Sequence, residues 1–450
     1  MTGIDEINMA IAGGRPSEAL SLCRRNVVDR PADGGLLYLA AVALQAMGDG
    51  AGAARIAHRA CATGGEPADA QLIVGMAAMS RGEIERALGA FDRASALAPD
   101  RAMFRMLRSG ILVQLRRYDD AYEALLALLI ERRSSAWWPP GLPDAAAPIP
   151  DDERQPTSRL KLRHDAEQLR HLCSESLLPA DAESFVEAFE SVLSDLDAAA
   201  PGNAPVRLEA DQRRRLAPVY NRVVALDPGA RVEGEAIARG WDRAGVARAY
   251  AADRVAVIDG LLTPEALAAM RRFCLDSTIW FDTSHALGER GYIGADGIEG
   301  FACPLLFQIA EGLRSALPQV IGDLPLAKFW AFKYDHALQG INAHADAARV
   351  NVNFWLTPDD ANLDPESGGL MVWNTHVPRD WAFHAYNNDP DGLMRRIDEI
   401  GAKPVNVPHR QNRAVLFDSD LIHATAPLNF RPGYRNRRIN VTLLFGNRST

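Results

Sequence analysis

Residues 341–346 read INAHAD, and the interpretation of the C-terminal half of the chain starts from this short stretch. Alternate side chains of an extended strand point to the same face, so the imidazole of His344 and the carboxylate of Asp346 would converge on one point. A third candidate, His423, lies downstream in VLFDSDLIHATAP, residues 415–427. Two imidazoles and one carboxylate can hold a metal ion and leave further coordination positions open. The pattern therefore predicts one metal centre built from these three side chains.

Strand-like runs surround these candidates. Runs rich in β-branched and aromatic residues alternate with turns: KFWAFKYD (328–335), VNVNFWLTP (350–358), GGLMVWN (368–374), RAVLFD (413–418) and INVTLLFG (439–446). Several short strands at this spacing predict a β-sandwich or barrel. Upstream, residues 254–277 predict a strand followed by a helix, with Thr263 as the N-cap and Pro264 in the first helical position. A second helix is predicted over residues 303–318.

An arginine completes the pattern, because Arg438 follows the distant histidine on the predicted strand RRINVTLLFG. The order His-x-Asp, distant His, then Arg resembles the 2-oxoglutarate and Fe(II)-dependent dioxygenases, and the Leu-Thr-Pro-Glu start is similar to prolyl-hydroxylase-like members. The resemblance covers residues 254–450. It implies a double-stranded β-helix (a jelly roll) with flanking helices, in which His344, Asp346 and His423 bind Fe(II). It also implies 2-oxoglutarate and O2 as co-substrates, with ascorbate as an optional reductant.

The far carboxylate of 2-oxoglutarate needs a cation, and an arginine offers a planar two-pronged donor. Arg437 and Arg438 are adjacent, so strand alternation allows only one of them to enter the pocket. The family pattern places Thr or Ser four residues after the arginine, which favours Arg438 followed by Thr442. Tyr334 on the preceding strand is a further candidate for the co-substrate pocket, with a place in the sheet core as the alternative. Asn353, which shares a face with its neighbour two residues earlier, is expected to hydrogen-bond the co-substrate.

The N-terminal third repeats itself. Ala19, Ala53, Ala87 and Ala121 are 34 residues apart, and Gly14, Gly48 and Gly82 keep the same step, with Arg116 in the fourth place. This spacing resembles tetratricopeptide repeats, which are pairs of stacked helices. In the best copy, residues 68–101, Phe91 is expected to fill the space between helix pairs and Gly75 to allow a close approach. The alternative is an irregular alanine-rich bundle.

The chain thus predicts a multidomain α and β protein with four parts. Residues 1–133 form a tetratricopeptide-type solenoid, 134–155 a proline-rich linker whose Trp137 and Trp138 dock on a domain surface, 156–250 a helical bridge, and 251–450 the oxygenase domain. Such solenoids present a concave face to a peptide or protein partner, although some only pack against their neighbouring domain.

The amino-acid composition limits the kinds of partner that are expected for this protein. The 450 residues carry a net charge of −9, which gives no basic surplus for nucleic-acid phosphates. The five cysteines are dispersed and contain no CxxC pair, which is typical of reduced thiols. No signal peptide and no apolar run long enough to cross a membrane are evident. A cytoplasmic protein without a membrane partner is expected.

The functional prediction is a dioxygenase that hydroxylates a peptide or protein side chain presented with the help of the repeats. Asp346 favours hydroxylation or another two-electron oxidation, because the related halogenases have a small residue in its place. Two alternatives stay open: a small-molecule hydroxylase that uses the repeats for assembly, and a non-catalytic scaffold of repeats and jelly roll. His376, His384 and His409 are expected at the surface or near the substrate, and the insert between residues 373 and 413 as a lid.

Overall fold

A computed structural model describes residues 3–12, 14–63, 67–135, 156–199, 204–282, 291–336, 340–377, 387 and 389–448. The chain forms two compact units, Met1–Ala124 and Leu125–Thr450. Residues 136–155, which hold Trp137 and Trp138 of the predicted linker, lie outside the described residues, and so does His384 in the predicted lid.

The N-terminal region is helical. The described residues from 3 to 133 form α1 (Gly3–Ala12), α2 (Pro16–Asp29), α3 (Gly34–Ala46), α4 (Gly50–Ala62), α5 (Pro67–Ser80), α6 (Ile84–Leu97), α7 (Ala102–Gln114) and α8 (Tyr118–Arg133). Every second helix starts at residue 16, 50, 84 or 118, so the helix starts recur at the predicted step of 34.

The glycine series marks the turns within the helix pairs. Gly14, Gly48 and Gly82 have φ values of 66°, 82° and 72°, and Arg116 in the fourth place has a φ of 59°. All four residues are therefore left-handed, a conformation that closes the end of a helix and that only glycine adopts without steric cost. The repeat in the sequence is thus a repeat of one backbone turn.

Small residues allow close packing between helices of this unit. The four alanines of the repeat are completely buried. A Cβ atom added to Gly75 would lie 2.5 Å from Cε1 of Phe91, so the ring of α6 packs directly on the backbone of α5. The space that the glycine leaves empty is the space that the aromatic ring fills.

The second unit contains further helices. They are α9 (Arg159–Ser174), α10 (Glu183–Ala199), α11 (Ala210–Leu216), α12 (Arg243–Asp253), α13 (Pro264–Asp276), α14 (Pro304–Ala316) and α15 (Pro390–Ile400). Thr263 caps α13 by accepting a hydrogen bond from the Ala266 N–H at 3.3 Å, as its sequence predicts. Within the predicted helical bridge, residues 217–242 form turns and extended segments. Pro218, Pro228 and Gly229 interrupt any helix there.

The strands of the second unit form two antiparallel sheets. The strands are β1 (Val255–Asp259), β2 (Ile293–Asp296), β3 (Leu326–Tyr334), β4 (Val350–Trp355), β5 (Leu370–His376), β6 (Pro404–Val407), β7 (Arg413–Asp418), β8 (Leu421–Thr425) and β9 (Arg438–Phe445). Six of them form one sheet in the order β1-β7-β4-β9-β3-β2, and three form a second sheet in the order β6-β5-β8. The five strand-like runs of the sequence correspond to β3, β4, β5, β7 and β9.

The two sheets share a buried apolar core. Val415 and Phe417 of the larger sheet pack in one cluster with Leu370 and Val372 of the smaller sheet. The inward side chains of β9 and β4 alternate with outward ones, because successive side chains of a strand point to opposite faces. This alternation separates the residues between the sheets from those that pack on the helices.

Two further expectations concern the chain as a whole. Its five cysteines, three of them buried, are all free thiols. A search of the described residues finds no helix with both the length and the apolar character that a membrane crossing needs.

Candidate metal centre and adjoining cavity

His344 and His423 lie opposite each other on paired backbone segments. The His344 N–H donates to the His423 carbonyl at 3.0 Å, and the His423 N–H donates to the His344 carbonyl at 2.9 Å. The pairing brings the two imidazole centroids to 4.2 Å. His423 lies in β8, whereas His344 makes a single bridge within an extended segment that precedes β4. The regular strand expected for His344 and Asp346 is therefore reduced to this one bridge.

Asp346 completes the group. One nitrogen or oxygen atom from each of His344, Asp346 and His423 lies within 4.8 Å of the others, and no other group of three such side chains is found among the described residues. Oδ2 of Asp346 is 3.5 Å from Nε2 of His423. Burial raises the pKa of the Asp346 carboxyl, but the hydrogen bond and charge of His423, with the charge of His344, outweigh it. The pKa therefore lies below its ordinary value, and the carboxylate is ionised at neutral pH.

Backbone carbonyl groups fix the orientation of both imidazoles. Nδ1 of His344 is 2.8 Å from the Asn342 carbonyl, and Nδ1 of His423 is 3.0 Å from the Leu421 carbonyl. A carbonyl oxygen can only accept, so Nδ1 carries the hydrogen in each ring. When such a ring is neutral, its lone pair is on Nε2, which is the arrangement in which histidine binds a metal.

A chain of side-chain hydrogen bonds connects Asp346 to β9. Asn351 Nδ2 donates to Oδ2 of Asp346 at 2.7 Å, and Asn353 Nδ2 donates to Oδ1 of Asn351 at 2.5 Å. Oδ1 of Asn353 accepts from Nδ2 of Asn440 and from Oγ1 of Thr442, both at 2.8 Å. All the amides of this chain are buried. We call it the amide chain, and it holds the carboxylate in a fixed orientation.

A cavity adjoins these residues, with about 340 Å³ of empty space when the adjoining open solvent is included. It brings together all seven residues that the sequence predicts for the site: Tyr334, His344, Asp346, Asn353, His423, Arg438 and Thr442. The remaining lining side chains are Trp330, Phe332, Ile341, Leu370, Thr425 and Asn440.

Arg438 is the buried cation of the cavity, with 1% of its surface exposed. Nε donates to the Gly368 carbonyl at 2.5 Å and Nη2 to the Gly369 carbonyl at 3.1 Å. Nη1 is buried and has no hydrogen-bond partner among the described residues. The guanidinium carbon lies 4.8 Å from the ring centre of Tyr334, its direct neighbour on β3. Burial lowers the pKa of Arg438 to about 10, with Tyr334 acting in the opposite direction, so the charge persists at neutral pH.

Arg437, the residue before β9, points away from the cavity. Its Nη1 lies 2.6 Å from Oδ2 of Asp335 and its Nη2 lies 2.9 Å from Oε2 of Glu167, which belongs to α9. Arg437 does not line the cavity. Of the two adjacent arginines, the one with the threonine four residues later is therefore the one at the cavity, and the other is bound within two ion pairs.

Three aromatic residues near the cavity were not singled out from the sequence. Trp330 and Phe332 line it together with Tyr334, and the ring of Tyr292 stacks on Phe332 with centroids 3.6 Å apart. The sequence does indicate that these side chains share a face, because alternate residues of the strand KFWAFKYD point to the same side. The sequence alone did not show that this face is the one that borders the metal ligands.

The comparisons with known proteins give partial structural likenesses. No protein-family model and no curated protein matches the sequence. YrrB, described as a TPR protein with an unusual peptide-binding site, is 17% identical over 28% of this chain and 65% of its own length, with a TM-score of 0.26. SnoK, a non-heme alpha-ketoglutarate-dependent carbocyclase from nogalamycin biosynthesis, is 15% identical over 48% of this chain and 87% of its own, with a TM-score of 0.35. AviO1 from Streptomyces viridochromogenes Tue57 is 19% identical over 45% and 95% of the two chains, with a TM-score of 0.32.

Proposed function

We propose that this chain is a non-haem Fe(II) and 2-oxoglutarate-dependent oxygenase that hydroxylates its substrate. One observation carries the proposal: the ligand atoms of His344, Asp346 and His423 meet at a cavity that also contains the buried cation Arg438. The antiparallel sheets that share a core would form the double-stranded β-helix of such enzymes. The helix pairs over residues 1–133 would be the tetratricopeptide-type solenoid, followed by the linker to 155, the bridge to 250 and the oxygenase domain to 450.

The residues fit both groups that the proposal requires. Two imidazole nitrogens and one carboxylate oxygen form a donor set that suits Fe(II). Nη1 of Arg438 is a buried N–H without a partner among the described residues, and a carboxylate would satisfy both its hydrogen and its charge. Bound Fe(II) supplies the oxidising chemistry, in which the substrate R–H, O2 and 2-oxoglutarate give R–OH, succinate and carbon dioxide.

Each side chain then has a defined task. His344 and His423 present Nε2 to the metal because Nδ1 donates to the backbone. Asp346 presents its carboxylate in the orientation that the amide chain sets. Arg438 binds the far carboxylate of 2-oxoglutarate, while the Tyr334 ring packs over the guanidinium and limits the access of water.

Asn353 and Thr442 line the same cavity, and their polar atoms take part in the amide chain. The Thr442 hydroxyl donates its one hydrogen to Asn353, so it positions that amide and contacts the co-substrate through its other atoms. Asn353 uses one amide hydrogen for Asn351, and its second amide hydrogen is available for the co-substrate.

The substrate is proposed to be a peptide or protein side chain that the repeats help to present. A small-molecule substrate, with the repeats used for assembly, is the alternative within the enzyme class. A scaffold without catalysis is the alternative outside it, and an assay of metal binding together with succinate release separates the two.

The test is an anaerobic Fe(II) titration followed by measurement of succinate release from 2-oxoglutarate in air. The wild-type protein should bind one Fe(II) per chain, and His423→Ala should lose stoichiometric binding and turnover. His376→Ala is the matched control, because this histidine lies in the adjacent strand β5 with half of its side chain exposed. Full metal binding and turnover in His423→Ala would refute the proposed centre, and metal binding without succinate in the wild type would favour the scaffold.

A further inference from the structure

The cavity has an aromatic wall, formed by Trp330 and Phe332 of β3. Both side chains are only partly buried, and both line the cavity. Their ring centroids are 5.8 Å apart with an interplanar angle of 29°, so the two rings are stacked along the same side of the cavity. Tyr292 stacks on Phe332 and is itself buried, so it supports this ring. An aromatic surface that faces a cavity favours a planar partner.

The strand register places this wall at the metal side of the cavity. Tyr334 is opposite Arg438 on β9, and Trp330 is opposite Thr442, four residues further along. Four residues of a strand span about 13 Å. Thr442 begins the amide chain that ends on Asp346. The Tyr334 end of β3 is therefore beside the co-substrate cation, and the Trp330 end is beside the residues that connect to the metal ligand.

Trp330 also offers an unused donor. Its Nε1–H is buried and has no hydrogen-bond partner among the described residues. Buried donors in folded proteins are almost always paired, so an N–H of this kind calls for an acceptor from a bound molecule. An indole N–H can only donate, so the bound molecule must contain a hydrogen-bond acceptor.

The co-substrate limits where a substrate can bind against the wall. In the proposed function 2-oxoglutarate occupies the part of the cavity beside Arg438, so a substrate group meets the aromatic wall at its Trp330 end.

From these observations we propose that the aromatic wall selects a peptide substrate by one planar aromatic residue that carries an acceptor atom, namely tyrosine or histidine. This inference rests on the proposed function and specifies its substrate class. The ring of the substrate residue would stack on Phe332, and its oxygen or nitrogen would accept the Trp330 Nε1–H.

The test uses five blocked pentapeptides, acetyl-Gly-Gly-X-Gly-Gly-amide, with X as Tyr, His, Phe, Leu or Pro. Binding to the full chain loaded with Zn(II) and 2-oxoglutarate is measured by ligand-observed NMR, which needs no turnover. The Tyr and His peptides should bind about threefold to tenfold more tightly than the Phe peptide, since one hydrogen bond separates them. The Leu and Pro peptides should be weakest.

Two variants test whether the order of the peptide affinities depends on the aromatic wall. Trp330→Phe keeps a ring and removes the N–H, so it should abolish the preference for Tyr over Phe. Phe332→Leu should weaken the Tyr, His and Phe peptides alike by about threefold to tenfold, because an aromatic pair is lost. Affinities for Zn(II) and 2-oxoglutarate, measured in parallel, show whether each variant is folded at the site.

The outcomes separate this inference from the proposed function. If neither metal nor 2-oxoglutarate binds the wild-type chain, the proposed function fails. If both bind but the peptides do not bind, rank equally, or rank with Leu or Pro first, the aromatic wall does not select the substrate and the inference is overturned. A Tyr preference that survives in Trp330→Phe would show that the acceptor is bound elsewhere.

Discussion

Replacing Asn351 with alanine removes the amide that orients the carboxylate of Asp346. Asn351 is completely buried, and its Nδ2 donates to Oδ2 of Asp346 at 2.7 Å. Its own Oδ1 accepts from Asn353 at 2.5 Å. The substitution thus leaves one oxygen of the Asp346 carboxylate with a donor missing and the buried amide of Asn353 without its acceptor.

The magnitude follows from these two lost contacts. A hydrogen bond to a charged group contributes about 1.5–3 kcal/mol and a neutral one about 1 kcal/mol, so Asn351→Ala should lower the free energy of unfolding by about 2–4 kcal/mol. Loss of a partner that orients a metal ligand typically costs 10-fold to 100-fold in metal affinity. This range corresponds to about 1.4–2.8 kcal/mol of binding free energy.

The assay is an anaerobic calorimetric titration with Fe(II), repeated with Co(II), whose visible spectrum reports the ligand geometry. Asn406→Ala is the matched control, because this asparagine lies in β6, is exposed, and donates only to the Glu366 carbonyl. Circular dichroism shows whether the variants are folded. A folded Asn351→Ala protein with wild-type metal affinity and an unchanged Co(II) spectrum would refute the reasoning, since the amide chain would then stabilise the core without orienting Asp346.

Two further predictions address the arginine pair and the helical repeats. Arg438→Met should raise the apparent 2-oxoglutarate constant about 100-fold, or ~2.8 kcal/mol, in a titration of succinate release, with little change in Fe(II) affinity. Arg437→Met should leave that constant nearly unchanged but lower the free energy of unfolding by about 3–5 kcal/mol, because the buried Asp335 and the partly buried Glu167 lose their counter-charge. The opposite ranking of the two variants would show that β9 is out of register. Gly75→Ala should lower the melting temperature, because its new Cβ would lie 2.5 Å from a Phe91 ring atom. Gly89→Ala, whose Cβ meets nothing closer than 3.6 Å, should instead raise stability by up to ~1 kcal/mol, and equal effects in a thermal melt would contradict this packing.

The parts of the fold that the sequence predicts are those with strong periodicity. The 34-residue step of alanines and glycines becomes a step of helix starts and left-handed turns, because one local conformation recurs. The alternation in RRINVTLLFG separates Arg437 from Arg438, since a strand admits only two faces. The order of His344, Asp346 and His423 indicates which residues meet, because adjacent strands must bring them together.

Other features depend on contacts between segments that are distant in the sequence. His409 was expected at the surface or near the substrate, yet it is buried, with its ring centroid 5.6 Å from that of Trp355 and 5.1 Å from that of Phe430. Burial lowers the pKa of His409 to about 3, and the positive charges of Arg438 and Arg413 act in the same direction. Nothing in the local sequence PHRQN indicates that two aromatic residues from elsewhere cover this ring.

Short strands were also missed. β2 has only four residues, IGAD, and β6 begins with a proline, so neither shows a recognisable alternation. Both are edge strands whose pairing is determined by the neighbouring strand. These two segments form strands because a neighbouring strand pairs with them, and their own side-chain pattern does not predict it.

The two adjacent arginines have a consequence for the register of β9. If this strand slipped by one residue, every side chain would exchange faces, and Arg437 would take the place of Arg438 at the cavity. The positive charge at the cavity would therefore be the same before and after the slip. The slip would instead replace Asn440 and Thr442 with aliphatic residues opposite the amide of Asn353. A protein engineer who transplants this strand into another scaffold has to carry the asparagine and the threonine along with the arginine, because the neutral pair is what distinguishes the correct alignment from its nearest competitor.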